Sequence, residues 1–148
     1  MFLALQLVPY GWRHPNPPVV AEPPWPDAEA EALARDACYD CHSNQTDWPF
    51  YSYVAPMSWL VRSDVETGRD ELNFSEWEGD ADDAADTIAE GSMPPTRYTI
   101  LHSDARLSSA EEQQLIAALE AIDDLDDNGD DGGGENGDGE DGGGGSDG

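Results

Sequence analysis

A run of five residues, Cys38-Tyr39-Asp40-Cys41-His42, constrains this chain more than any other feature of its sequence. The chain has two cysteines, and both lie in this run. Cys-x-x-Cys-His is the attachment motif of c-type haem. Two cysteines three residues apart on a helical turn can each form a thioether with one vinyl group of the porphyrin, and the next histidine can bind the iron. The run therefore predicts one covalent haem c on Cys38 and Cys41, with His42 as the proximal iron ligand.

Three other uses of such a cysteine pair fit this sequence less well. A dithiol redox pair needs a βαβ context, and this chain is predicted to be helical. A zinc site needs further ligands, and only His14, His102 and carboxylates are left to supply them. A disulfide between Cys38 and Cys41 would close a very short loop and would stabilise the fold little. The sequence therefore favours haem over these three uses.

Met93 is the predicted distal iron ligand. It stands in the segment 91–95, Gly-Ser-Met-Pro-Pro, where two prolines stiffen the loop that presents it. Ligation by Met and His raises the potential of a haem iron. Two alternatives stay open at this point: His102 as the distal ligand, with a lower potential, or an open sixth position. Met57 falls on a helical apolar stripe, where a core position is expected.

The C-terminal segment limits how much of the chain can fold. Residues 123–148 contain 11 acids, 11 of the 15 glycines and one apolar residue, Leu125. A segment of this composition cannot bury enough surface to offset the entropy of ordering it, so we predict disorder there. The predicted domain covers residues 27–122. It is small for a self-sufficient core, and a prosthetic group would complete it.

The N-terminal residues 1–26 are predicted to lie outside this domain. Residues 1–8 are apolar, but eight helical residues cover only about 12 Å of a hydrocarbon layer about 30 Å thick. We interpret them as the end of a truncated membrane anchor, because Tyr10, Trp12 and Arg13 follow as interfacial residues would. Six prolines within residues 15–26 predict an extended spacer.

The rest of the chain predicts helices. They are expected from Asp27 as N-cap to Tyr39, from Pro56 to about residues 68–72, from a capping box at Ser75 and Glu78 to Gly91, and from a second box at Ser108 and Glu111 to Ile122. The last helix has Leu115, Ile116, Leu119 and Ile122 on its buried face. No segment alternates with period two, so the predicted fold class is all-α.

An aromatic-rich loop follows the cysteine-histidine run. It covers residues 43–55 and contains Trp48, Phe50, Tyr51 and Tyr53. With Trp59 and Trp77, these side chains are expected to offer flat surface to a porphyrin. Three arginines are candidates for contact with haem propionates, namely Arg62, Arg69 and Arg97.

The charge of the chain excludes some classes of partner. It carries 33 Asp and Glu residues against six arginines and no lysine, for a formal net charge of −27. Such a field repels phosphate backbones and anionic membrane surfaces, so we expect no nucleic-acid partner. This composition is typical of proteins that stay soluble in high salt, where screening weakens self-repulsion. An acidic protein without that adaptation is the alternative.

One segment of the tail matches a calcium-binding pattern. Asp124, Asp126, Asn128-Gly129 and Glu135 have the spacing of a calcium loop. The eighth position is Asp131 rather than an apolar residue, and a glycine-rich stretch replaces the exit helix. A tail made mostly of Asp, Glu and Gly produces such a match by chance, so calcium is not the expected ligand.

Several longer strings resemble the small bacterial haem-binding domain family of cytochrome-c-like proteins. They are residues 38–61, residues 64–77 with the string Asn-Phe-Ser-x-Trp, and residues 93–98 continuing through His102 to Leu107-Ser108. The resemblance covers about residues 38–119. It implies haem on Cys38 and Cys41 with His42 as ligand, an N-terminal membrane anchor, and exposure on the periplasmic side. The short apolar N-terminus and the Asp/Gly tail depart from the family pattern.

These features predict a small helical cytochrome-c-like domain wrapped around one haem. We expect one-electron transfer outside the cytoplasm, with a redox partner protein that the sequence does not identify, and membrane association through the N-terminus. An iron with both axial ligands has no vacancy for substrate, so we expect no enzymatic activity. Two alternatives remain: a sensor or peroxidase-like enzyme with an open sixth position, and a calcium-binding or interaction module that uses the acidic tail.

Overall fold

The computed structural model of the chain describes residues 1–79 and 81–130. Its helices are α1 (Phe2–Leu5), α2 (Ala28–Ala37), α3 (Tyr39–His42), α4 (Met57–Glu71), α5 (Asp82–Ala89), α6 (Thr96–Leu101) and α7 (Ser109–Asp130). Two short 3-10 turns, Phe50–Tyr53 and Ser103–Ala105, complete the regular structure. Within the described ranges, extended pairing is limited to one isolated bridge between Ala21 and Glu76. The predicted all-α class is confirmed.

Helix α2 begins where its N-cap predicts. The side chain of Asp27 accepts hydrogen bonds from the backbone N–H groups of Glu29 and Ala30, at 2.9 and 2.8 Å. The helix ends at Ala37, two residues before its predicted end, because Cys38 has a non-helical backbone with φ −123°. The chain bends there, and α3 starts as a separate turn that carries the cysteine-histidine run.

The core forms where α2, α5 and α7 meet the segment that follows α4. Phe74 is buried at its centre and stacks on Tyr39, with ring centroids 5.2 Å apart. The other buried members of this cluster are Ala34, Ala81, Ala85, Ile88, Leu115 and Leu119. Aromatic stacking adds about 0.5–1.5 kcal/mol to the burial of such a pair. The core therefore fastens α3, through Tyr39, to the helices around it.

The predicted third helix starts later than its sequence signal indicates. Ser75 and Glu78 have the spacing of a capping box, but α5 begins only at Asp82. The hydroxyl of Ser75 is buried and accepts the backbone N–H of Asn44 at 3.0 Å, so it does not cap a helix. The prediction of a cap at Ser75 is wrong because a contact 31 residues away in sequence uses that hydroxyl.

Helix α7 has the predicted start and a later end. The backbone N–H of Ser108 donates to Glu111 at 2.7 Å, and the N–H of Glu111 donates to the Ser108 hydroxyl at 3.4 Å, which is the reciprocal capping box. Leu115, Leu119 and Ile122 are buried as predicted. The helix continues to Asp130, eight residues past the predicted end, because neither Gly nor Pro interrupts it before residue 129.

The continuation of α7 changes the setting of the calcium-like pattern. Residues 124–129 are part of a helix, whereas a calcium loop needs a turn at its glycine. Asp131 and Glu135, and most of the segment predicted to be disordered, lie outside the described residues. Among the residues that are described, no group of three or more His, Cys, Asp or Glu side chains has the arrangement of a metal site.

The Pro-rich segment is extended and lies against the domain. Asn44 donates to the carbonyl of Pro18 at 3.2 Å, and Arg69 donates to the carbonyl of Pro15 at 3.0 Å. The backbone N–H of Val20 donates to the Ser75 carbonyl at 2.8 Å. In the described part of the chain, no helix has both the length and the apolar character that crossing a bilayer requires.

Candidate cofactor site

A cavity of about 830 Å³ lies beside the cysteine-histidine run. Cys38, Cys41, His42 and Met93, which lie up to 55 residues apart in sequence, all line it. Its size is within the range of about 300–1,000 Å³ that is common for ligand sites. A space of this volume can receive a ligand many times larger than a water molecule.

The segment after α4 holds His42 from two sides. The Nδ1 atom of His42 lies 3.2 Å from the carbonyl oxygen of Leu72. A carbonyl can only accept, so Nδ1 carries the proton and Nε2 is the nitrogen with a free lone pair. The backbone N–H of Phe74 donates to the His42 carbonyl at 2.8 Å. This is the arrangement in which a metal-binding imidazole is oriented by a hydrogen bond to its other nitrogen.

Burial keeps the side chains of Cys38, Cys41 and His42 uncharged. It raises the pKa of Cys38 to about 12, with a further contribution from Cys41. Burial, together with Asp64 and Asp40, raises the pKa of Cys41 to about 11, and burial lowers the pKa of His42. A dithiol redox pair depends on a lowered thiol pKa, so this environment argues against that alternative.

A buried polar network joins the two strings on which the family resemblance rests. Asn44, just after the cysteine-histidine run, accepts a hydrogen bond from Asn73 at 3.1 Å, and its backbone N–H donates to Ser75 at 3.0 Å. Its amide nitrogen also donates to Glu76 at 2.7 Å. A satisfied buried network of this kind specifies one arrangement of the segments that it joins. The strings that resemble the family include these residues, but the sequence does not show which of them form hydrogen bonds with each other.

Gly68 allows α4 to pack directly against the cysteine-histidine run. A Cβ atom at this position would lie 2.5 Å from the carbonyl oxygen of Cys41 and 3.0 Å from its Cβ. Glycine inside a helix costs about 1 kcal/mol relative to alanine, so its presence needs a reason of this kind. Sequence reasoning placed Gly68 near the end of a helix and missed this contact.

Met93 lies at the mouth of the cavity. Gly91, with φ +73°, turns the chain after α5, and the N–H groups of Ser92 and Met93 donate to the Thr87 carbonyl at 3.0 and 3.1 Å. The side chain of Met93 is 38% exposed. Pro94 also lines the cavity. The loop therefore presents a thioether to the same space that His42 and the two cysteines border.

His102 does not line this cavity. It borders a second one, of about 100 Å³, which Cys41 also borders from its other side. The Nε2 atom of His102 lies 2.7 Å from the hydroxyl of Tyr51, and its ring stacks on Tyr98 at 4.2 Å. Tyr98 in turn donates to Asp40 at 2.6 Å. These contacts hold α6 against α3 and occupy the imidazole of His102.

The aromatic loop lies elsewhere than predicted. Among the six predicted aromatic residues, Trp77 lines the large cavity, while Trp48, Phe50, Tyr51, Tyr53 and Trp59 do not. The loop instead packs on the N-terminal segment, where the ring of His14 lies 4.2 Å from that of Tyr53 and 4.6 Å from that of Trp48. Five of the six predicted residues therefore do not border the cavity, because the loop packs on the N-terminal segment through Trp48 and Tyr53 and leaves Phe50 exposed.

Two of the three candidate arginines line the cavity. Arg97 pairs with Asp64 at 2.9 Å, and Arg69 donates to Ser43 and Thr46 at 2.7 and 3.0 Å. Arg62 is turned away and pairs with Glu66. The lining of the cavity is mixed: beside its apolar side chains it carries the two guanidinium groups and six carboxylates, namely Asp64, Asp70, Glu71, Glu76, Glu78 and Asp83.

The donor set suits a haem. Two uncharged thiols, an imidazole with a free Nε2 and a thioether border one space, and Phe74, Trp77, Ile88 and Leu119 supply apolar wall. Thiols, imidazole and thioether are the groups through which proteins hold a haem and its iron. Thiols, a thioether and one imidazole fit hard cations poorly, and the carboxylates of the described lining form no group of three or more with the arrangement of a metal site.

Comparison with known proteins agrees with this geometry. The family described as "Haem-binding domain" matches residues 1–121, which includes every residue that lines the large cavity. A search of curated proteins and a search of solved structures found no match. The matched residues make up most of the chain, and the chain belongs to the haem-binding domain family.

Proposed function

We propose that this protein carries one haem c and transfers single electrons outside the cytoplasm. Cys38 and Cys41 hold the haem by thioethers, His42 is the proximal iron ligand, and Met93 is the distal one. The observation that carries this proposal is that these four side chains border one cavity. When bound, the haem supplies an iron that changes oxidation state by one electron.

The protein side chains perform three tasks in this proposal. The Leu72 carbonyl holds His42 in the tautomer that leaves Nε2 free. Apolar side chains such as Phe74 and Leu119 keep water from the site. Met93 occupies the sixth position, which leaves no vacancy for a substrate, so the protein is a carrier rather than an enzyme.

Covalent attachment is tested by mass and colour. The full chain is produced in a host that matures c-type cytochromes, together with Cys38→Ala, Cys41→Ala and the double variant. We expect the wild type to gain the mass of one haem and to keep its colour in acidified acetone. The double variant should lose both properties. A colourless wild type of unmodified mass would overturn the proposal.

The distal ligand is tested by carbon monoxide binding to the reduced protein. We expect slow or absent binding in the wild type and in His102→Ala, and ready binding in Met93→Ala. Met57→Ala is the matched control, since Met57 is half-buried on α4 and does not line the large cavity. High-spin iron in the wild type would favour the sensor or peroxidase-like alternative.

Location outside the cytoplasm and membrane association through residues 1–8 are part of the proposal. Leu3 and Leu7 are exposed in this apolar segment, and Tyr10 and Trp12 follow it with exposed rings. Cell fractionation tests both points: the haem protein should sediment with membranes and be cleaved by protease added to spheroplasts. A protease-resistant protein in the soluble fraction would contradict them. The proposed redox partner is a protein, and these cell fractions are where it can be sought.

A further inference from the structure

Acidic residues are distributed unevenly along this chain. On average, one residue in four or five is Asp or Glu, yet residues 1–21 and residues 48–63 contain none. Each of these stretches carries one arginine, Arg13 and Arg62. The two stretches together thus hold a formal charge of +2 in a chain whose net charge is −27.

The structure packs these two acid-free stretches against each other. The side chain of Gln6 both donates to the carbonyl of Ala55 and accepts its N–H, each at 3.0 Å. Gly11 lies so close to Ser58 that a Cβ atom on it would be 2.6 Å from the Ser58 carbonyl oxygen. We call the surface formed by residues 1–14 and 48–62 the acid-free face.

The acid-free face exposes large apolar side chains from both stretches. Phe50 is 86% exposed and Tyr53 is 63% exposed, which is unusual for aromatic residues of a small domain. The other exposed apolar or aromatic residues of the face are Met1, Phe2, Leu3, Leu7, Val8, Tyr10, Trp12, Val54 and Leu60. Contiguous exposed apolar surface of this kind marks a site of interaction.

Glu66 is a carboxylate at the border of the face that is paired within the protein. Glu66 accepts hydrogen bonds from Arg62 at 2.7 Å and from Tyr10 at 2.9 Å. The Arg62 hydrogen bond is the main cause that lowers the pKa of Glu66. The pairing of Glu66 lowers the cost of bringing this part of the border to a medium of low dielectric constant, while Asp47, beside Trp48, is exposed and is in none of the ion pairs of the described residues.

We propose that the acid-free face rests on the surface of a lipid bilayer, with Phe50, Tyr53 and Val54 as a second membrane contact beside residues 1–8. Tyr, Trp and Phe are the side chains suited to the boundary between headgroups and acyl chains. The absence of carboxylates fits a lipid surface, which strongly disfavours buried carboxylates. The inference rests on the proposed membrane association of residues 1–8 and adds a fixed orientation to it.

This orientation leaves the cofactor cavity accessible. Among the described residues that line the 830 Å³ cavity, none belongs to the acid-free face. A soluble redox partner would therefore reach the cavity near Met93 while the acid-free face holds the domain on the lipid.

Binding to vesicles tests the proposal with the full haem-loaded chain. Phosphatidylcholine vesicles in molar KCl are the probe, because neutral headgroups and screening remove repulsion of the acidic chain. We expect Phe50→Ser/Tyr53→Ser to reduce partitioning roughly tenfold, by the apolar area that it removes. Leu125→Ser is the matched control, since Leu125 is 60% exposed on α7 among acids, and it should bind as the wild type does.

A second pair of variants separates this inference from the proposed association. Leu3→Ser/Leu7→Ser should also reduce partitioning. If only that variant binds less, association through residues 1–8 stands and the second contact is overturned. If the wild type does not bind vesicles at all, both are overturned.

Hydrogen-deuterium exchange on the vesicle-bound chain locates the contact. We expect slower exchange in residues 1–14 and 49–61 and unchanged exchange in residues 64–122. Slowing confined to residues 1–14 would overturn the proposal. A dimer observed by sedimentation velocity would also overturn the proposal if Phe50→Ser/Tyr53→Ser abolished it. In that case a second copy of the chain would cover the face.

Discussion

The hydroxyl of Tyr98 donates a 2.6 Å hydrogen bond to Asp40, the residue between Tyr39 and the second cysteine. Tyr98 lies five residues after Met93, so this bond ties the loop of the proposed distal ligand to the turn that carries the proposed haem attachment. Burial and the bond to Asp40 both raise the pKa of Tyr98, which therefore stays protonated and keeps its proton to donate.

We expect Tyr98→Phe to weaken ligation by Met93. A hydrogen bond to a charged partner contributes about 1.5–3 kcal/mol, and its loss frees the loop. The expected result is a lower midpoint potential and a weaker Met–iron charge-transfer band in the oxidised protein. Tyr10→Phe is the control, because its hydroxyl bonds to Glu66 and neither residue lines the large cavity. An unchanged band and potential in Tyr98→Phe would contradict this role.

Gly68→Ala should destabilise the protein and reduce haem incorporation. The added Cβ would meet the backbone of Cys41 at 2.5 Å, and overpacking of this kind costs about 1–3 kcal/mol. Urea unfolding and the yield of haem-loaded chain measure the effect. Ser63→Ala, at an exposed position of the same helix, should change stability by no more than about 0.5 kcal/mol. A more stable Gly68→Ala would mean that the close approach does not matter.

The capping box of α7 predicts a pH dependence of stability. Hydrogen bonds with the backbone and side chain of Ser108 hold the pKa of Glu111 below its usual value. A lowered folded pKa stabilises the fold above the unfolded pKa, and this contribution is lost as the pH falls through the folded value. We therefore expect Glu111→Ala to lower the melting temperature at neutral pH and to have no effect in strong acid.

Glu112→Ala removes the same charge without removing the box, and it is the control for that experiment. Glu112 donates its backbone N–H to the Ser108 carbonyl, which alanine preserves. If both variants melt alike at neutral pH, the box contributes nothing.

Salt should stabilise the whole protein. At a net charge of −27, the acidic side chains repel one another in the folded state. Screening shortens the range of that repulsion from about 10 Å at 0.1 M salt to about 3 Å at 1 M. The melting temperature should rise steeply up to molar KCl. A melting temperature that does not change with KCl concentration would contradict the hypothesis that this composition is an adaptation to salt.

Local patterns predicted the parts of the molecule that depend on local chemistry. Asp27 and the Ser108–Glu111 box predicted helix starts correctly because a cap is made within three or four residues. The cysteine-histidine run and Met93 were selected by chemistry that a single segment displays, and the structure brings them to one cavity.

Features that depend on distant contacts were not visible in the sequence. Ser75 was mistaken for a cap because nothing near it shows that Asn44 uses its hydroxyl. The close contact of Gly68 with Cys41 has the same origin, since 27 residues separate the two. The aromatic loop was assigned to the porphyrin because its partner, the segment around His14, was predicted to lie outside the domain.

Arg69 joins the Pro-rich segment to the domain, and this contact has a practical consequence. Its guanidinium donates to the Ser43 carbonyl through Nε, to the Pro15 carbonyl through Nη1, and to both Thr46 and Asn16 through Nη2. A protein trimmed to start at residue 27 would lose two of these four acceptors, those on Pro15 and Asn16. A shortened version for crystallisation or electrochemistry should therefore keep residues 15 and 16, whose oxygens Arg69 binds.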